Sequence, residues 1–166
     1  EHHGAEIIDV PATAIDFSKR PFKITAGEQT YEGASVIIAT GADTKWLGVI
    51  GEKEKIGRGV SSCAPCDAPF FREKEVIVAG GGDSAMEEAM VLTRFAKHVT
   101  LIHRRDELRA SQIMQDKAKA NPKISFVMNT EILEILGGER VTGVRVKDNV
   151  TGENRDMPAD GIFVAI

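Results

Sequence analysis

Three consecutive glycines, Gly80-Gly81-Gly82, stand between an apolar run and a helical pattern, and this junction restricts the fold more than any other feature of the chain. Glu75-Val76-Ile77-Val78-Ala79 reads as a strand buried on both faces. From Ser84 to Phe95 the small and apolar residues Ala85, Ala89, Leu92, Thr93 and Ala96 recur with helical spacing. Gly80-Gly81-Gly82-Asp83-Ser84-Ala85 therefore fits G-x-G-x-x-A in the strand–turn–helix context that gives the pattern meaning. The first glycine permits a tight turn. The second lets backbone approach a pyrophosphate, and the small Ala85 lets helix and strand pack closely. Free N–H groups at the helix start would face the phosphates. The alternative is a glycine-rich turn that holds no ligand.

The next strand, Val99-Thr100-Leu101-Ile102, ends in His103-Arg104-Arg105, with Arg109 one helical turn later. A dinucleotide site that reads a ribose 2′-hydroxyl places an acid at this strand tip. Here Asp106 and Glu107 come only after the arginines. Guanidinium groups suit a 2′-phosphate through bidentate charge-assisted hydrogen bonds, so the expected coenzyme is NADP(H) rather than NAD(H). A solvated basic turn is the alternative.

The only two cysteines lie three apart, in Cys63-Ala64-Pro65-Cys66, and Asp67 follows. Such a pair can form and break a disulfide without moving the fold, and a helix start would favour a thiolate. Asp67 is close enough in sequence to exchange a proton with a departing thiolate. Zinc needs four ligands, and His98 and His103 stand too far from Cys66 for a finger, so no metal is expected. Inert buried cysteines are the remaining alternative.

Around these motifs the plan is α/β. Residues 7–42 read as β structure, with strands at Ile15–Phe17, Phe22–Thr25 and Gln29–Glu32 and a doubly buried strand at Val36–Ala39. Residues 43–59 read as a loop or linker. A second helix is expected over Arg109–Ala120, stopped by Asn121-Pro122. A short β-meander follows, with strands at Ile124–Met128, Ile132–Leu136 and Val141–Lys147. Gly161–Ile166 reads as a last strand left without its next partner, so the chain reads as a piece of a longer protein. Lys+Arg 21 against Asp+Glu 25 gives a net charge of −4, which argues against a nucleic-acid or anionic-membrane surface. No apolar run is long enough for a membrane span.

Taken together, Cys63-Ala64-Pro65-Cys66-Asp67, Gly80 to Ala89 and His103-Arg104-Arg105-Asp106 with Arg109-Ala110-Ser111 resemble the low-molecular-weight thioredoxin reductases in order and spacing. Val36-Ile37-Ile38-Ala39-Thr40-Gly41-Ala42 resembles that family's passage from its FAD domain to its NADPH domain, with Thr40 and Gly41 at the FAD side. The resemblance implies a Rossmann-like three-layer NADPH-binding domain with an antiparallel meander over residues 44–160. It implies a β-rich part of an FAD domain over 1–43, and the start of the return strand over 161–166. It implies electron flow from NADPH through FAD to the Cys63–Cys66 disulfide and on to thioredoxin, in a homodimer, while the absent signal segment and the reducible cysteine pair point to the cytoplasm. Cys66 would face the flavin, Cys63 would exchange with thioredoxin, and Asp67 would be the acid–base residue. Gly80, Gly81, Gly82, Asp83, Ser84, Ala85 and Glu87 would hold the NADPH backbone, and His103, Arg104, Arg105 and Arg109 its 2′-phosphate. Linkers near 43–46 and 158–161 would be hinges between two orientations of the NADPH domain. Ala68-Pro69 departs from the glycine and larger residue that usually follow the motif. Two other readings stay open: reduction of a different disulfide, and NADPH binding without catalysis.

Overall fold

The computed structural model describes residues 4–166. They form two compact units, divided between Ala42 and Asp43.

The first unit is a three-stranded antiparallel meander of β1 (Ala12–Asp16), β2 (Phe22–Ala26) and β3 (Gln29–Gly33). Ile15 pairs with Ile24, and Ile24 with Tyr31. The β2–β3 turn is made by Gly27 at φ +61°, a conformation glycine adopts without strain. Asp16 accepts the Ser18 N–H at 2.8 Å and bends the chain out of β1. The expected strand at Val36–Ala39 is not formed. This stretch is unpaired, with Ile37 92% and Ile38 64% exposed. A strand is stabilised by its ladder, and neighbouring residues alone do not supply one.

The second unit has three layers. Its centre is a parallel sheet of β4 (Val60–Ser61), β5 (Glu75–Gly80), β6 (His98–Ile102), β7 (Ile124–Val127) and β11 (Gly161–Ala165), in the order β4-β11-β5-β6-β7. One face carries α1 (Ala64–Asp67), α2 (Asp83–Leu92) and α3 (Gln112–Lys119). The other carries an antiparallel sheet of β8 (Thr130–Leu136), β9 (Gly143–Asp148) and β10 (Asn154–Pro158). The alternation along β5 explains its unbroken apolar run. Val76 and Val78 join Met86, Ala89 and Leu92 in the helix-side core, whereas Ile77 and Ala79 join Ile132, Ile135 and Val144 on the opposite side.

Several boundaries differ from expectation for identifiable reasons. β11 is not left at an edge. It lies inside the sheet, paired with β5 from Gly161↔Val76 to Ala165↔Gly80 and with β4 at Ile162↔Val60 and Phe163↔Ser61. α3 starts at Gln112 rather than Arg109, because the Arg109 and Ala110 amides donate to the Gly81 carbonyl at 2.7 and 3.0 Å. The 43–59 stretch is a packed loop. Trp46, Leu47 and Val49 lie against the second core, and buried Glu52 accepts the Leu47 and Gly48 amides at 2.9 and 2.7 Å. β10 has no apolar alternation to announce it. It is held by its ladder to β9 and by Arg145, whose guanidinium binds Asp156 at 2.8 and 3.1 Å and Glu134 at 2.8 Å. No helix among the described residues is long and apolar enough to cross a membrane.

Candidate functional site

The glycine turn joins β5 to α2, and its three glycines have three different reasons to lack a side chain. A Cβ on Gly80 would collide with the Ala165 carbonyl oxygen of β11 and come within 2.8 Å of the Ala85 Cβ. At Gly81 a Cβ would overlap the His103 ring. On Gly82, the N-cap of α2, it would meet nothing within 4 Å. The first two positions are constrained by the protein's own packing. Gly82 faces open space, as expected of a residue whose backbone a ligand approaches. Its carbonyl accepts the Ala85 amide at 3.0 Å and opens the helix, and the first N–H groups of a helix have no partner within it. Ser84 and Glu87 are exposed on α2. Asp83, expected among the coenzyme contacts, accepts the Ser111 amide at 2.6 Å and ties the turn to the start of α3.

A cleft of about 290 Å³ opens beside this turn. Trp46, Gly80, Gly81, His103, Arg104 and Arg109 are among its lining residues. His103 is 6% exposed and its Nε2 has no hydrogen-bond partner. Burial pushes its pKa down, a backbone hydrogen bond at Glu107 opposes this, and the neighbouring charges of Arg109, Arg105 and Arg104 lower it further. The ring is thus neutral near pH 7 and packs beneath the turn, rather than adding charge to the arginines. Arg104, Arg105 and Arg109 are exposed, and none appears in an ion pair among the described residues.

Cys63 and Cys66 are disulfide-bonded with their Cα atoms 5.3 Å apart. Cys63 is the N-cap of α1 and Cys66 lies in its single turn, so the helix itself sets their separation. The Cys66 and Asp67 amides both donate to the Cys63 carbonyl, at 3.2 and 3.1 Å. Cys66 is exposed and Cys63 half-buried in this chain. Asp67 follows directly and is half-buried. The Ala68-Pro69 departure is accommodated locally. Ala68 sits at φ −51°, ψ −35°, where any residue fits, and Pro69 enters a 3-10 turn over Ala68–Phe71. That turn buries Phe71 against Phe163 and leaves Phe70 74% exposed near Cys66.

Sequence reasoning missed Glu88. From α2 it accepts the Ala64 amide at 2.6 Å, between the two cysteines. Burial raises its pKa, the Ala64 hydrogen bond opposes this, and Glu87 raises it further. Nothing in the order of residues marks this contact, because it spans two helices. Glu88→Ala is expected to leave the fully buried Ala64 without a partner for its N–H, at a cost of about 1–3 kcal/mol. Glu88→Gln keeps an acceptor and removes a half-buried charge, so it is expected to hold the melting temperature. A carboxyl whose folded pKa is raised contributes most below its unfolded value, and that contribution falls as pH rises through the folded one. The wild type is therefore expected to lose stability against Glu88→Gln across that window in thermal melts over pH.

The family model described as pyridine nucleotide-disulphide oxidoreductase matches residues 2–166, and the chain belongs to this family. Within it, the chain is similar to thioredoxin reductases. The thioredoxin reductase of Mycolicibacterium smegmatis is 56% identical over 143 residues, covering 86% of this chain and 46% of that protein. The solved thioredoxin reductase of Giardia duodenalis superposes with a TM-score of 0.87 at 41% identity, over 99% of this chain and 54% of that one. The Lactococcus lactis thioredoxin reductase, in its FR conformation, gives 0.78 at 42%, over 95% and 52%. The chain spans about half the length of the curated relatives it matches.

Proposed function

We propose that this chain carries the NADPH-binding and dithiol part of a thioredoxin-disulfide reductase, with the β1–β3 unit belonging to a flavin-binding domain. The observation that carries this reading is the span of α2. It is N-capped by Gly82, which faces open space, and six residues on its Glu88 holds the helix of the Cys63–Cys66 pair. One helix therefore links a coenzyme-type turn to a redox pair.

The residues at the turn fit a phosphorylated dinucleotide. Gly82 leaves room for the pyrophosphate, the start of α2 offers N–H groups, and Arg104, Arg105 and Arg109 offer guanidinium groups to a 2′-phosphate. When bound, NADPH supplies a hydride, and FAD in the whole protein relays its two electrons. Thr40 and Gly41 lie in exposed, unpaired chain after β3.

The chain's own chemistry is thiol–disulfide exchange. Two electrons and two protons convert the Cys63–Cys66 disulfide to two thiols. The Cys66 thiolate then attacks the disulfide of thioredoxin, forming a mixed disulfide and releasing one thioredoxin thiolate. Cys63 attacks that mixed disulfide, restores Cys63–Cys66 and leaves thioredoxin as the dithiol. Asp67, next to Cys66, gives and takes the proton. Exposed Phe70, four residues after Cys66, offers the partner an apolar anchor. The test uses single variants and a thioredoxin lacking its resolving cysteine. Cys63→Ser, which leaves Cys66, is expected to trap a mixed disulfide at least tenfold faster than Cys66→Ser. Equal trapping of a small disulfide such as oxidised glutathione, or no trapping by either variant, would overturn the acceptor assignment.

A further inference from the structure

The backbone of the basic loop is held at three consecutive carbonyls. The His103 oxygen accepts the Thr130 amide at 2.9 Å, and the Arg105 oxygen accepts the Asn129 amide at 3.0 Å. Between them, the Arg104 oxygen accepts the side-chain amide of Asn149 at 3.0 Å. Thr130 and Asn129 contribute main chain at the start of β8. Asn149 comes from the turn between β9 and β10 and is the only side chain in the set.

That turn is itself fixed. Asp148 accepts the Val150 and Thr151 amides at 2.8 and 2.9 Å, and Gly152 closes the turn at φ +79°. The Asn149 amide donates to the Asn129 carbonyl at 2.7 Å, and Asn129 adopts φ +50°, which asparagine tolerates. The β9–β10 turn, the β8 start and the basic loop thus form one hydrogen-bonded unit. A guanidinium at the end of a long side chain gains affinity when its backbone is fixed before the anion arrives.

We propose that Asn149 is a specificity-determining positioning residue, which fixes the Arg104 backbone so that the basic loop discriminates NADPH from NADH. The proposal rests on the coenzyme reading above. Asn149 acts through Arg104 and need not touch the coenzyme, so its removal weakens only the form that carries the 2′-phosphate.

The test is a fluorescence titration of the wild-type chain, Asn149→Ala and Asn149→Leu with NADPH and NADH side by side. Leucine keeps the volume and removes the donor. Both variants are expected to bind NADPH about fivefold more weakly, because the Arg104 backbone must then be ordered as the 2′-phosphate binds, with NADH binding unchanged. A fall shared equally by both coenzymes, or an unchanged NADPH affinity, would overturn the role of Asn149. A wild type without preference for NADPH would overturn the coenzyme reading itself and this role with it. Unchanged melting temperatures in the two variants, a separate readout, are expected because Asn149 is exposed.

Discussion

Gly80→Ala and Gly82→Ala are expected to give opposite results although the two glycines stand in one turn. At Gly80 the new methyl meets the Ala165 carbonyl of an interior strand and the Ala85 Cβ of α2. Neither can retreat without separating β5 from β11 or α2 from the sheet. Overpacking of this kind costs about 3 kcal/mol, and for a chain of this size that lowers the melting temperature by roughly 6–12 °C. At Gly82 the methyl enters open space at φ −94°, a conformation alanine adopts freely. The melting temperature is expected to stay nearly unchanged, while NADPH affinity falls at least tenfold because the methyl occupies the pyrophosphate's approach. Thermal melts and a coenzyme titration on the same two samples separate packing from binding. Normal NADPH binding by Gly82→Ala would show that the open face is not the binding face.

A chain carrying Arg104→Ala with Arg105→Ala is expected to bind NADPH about a hundredfold more weakly and NADH with unchanged affinity. Two guanidinium groups, each contributing about 1.5 kcal/mol or more through charge-assisted bonds, account for that factor. Both side chains are exposed and take part in no ion pair among the described residues, so their removal is not expected to disturb the fold. Raising the salt concentration is expected to narrow the preference of the wild type in the same direction, since exposed charges are screened. Isothermal titration at two ionic strengths measures both effects. An equal loss for the two coenzymes would mean that the arginines act on something other than the 2′-phosphate.

The parts of the site legible in the sequence are those carried by local pattern. The glycine turn, the cysteine pair and the basic strand tip each depend on residues within a few positions of one another. The parts that escaped depend on contacts between distant elements. Glu88 reaches Ala64 across two helices, and Asn149 reaches Arg104 from another sheet. Arg109 and Ala110 looked helical until the Gly81 carbonyl captured their amides. That β5 is covered on both faces was readable from its unbroken apolar run, whose residues alternate between two cores. The two-residue β4 and the charged, exposed β10 were not, because each exists only through its neighbour's ladder. Val36–Ala39 shows the converse, a strand-like composition without a ladder.

The most direct measurement is a titration of the unmodified chain with NADPH and NADH in parallel at fixed salt. The predicted result is NADPH binding at least tenfold tighter, a difference of about 1.4 kcal/mol. Equal affinities, or binding of neither coenzyme by a folded chain, would contradict the account.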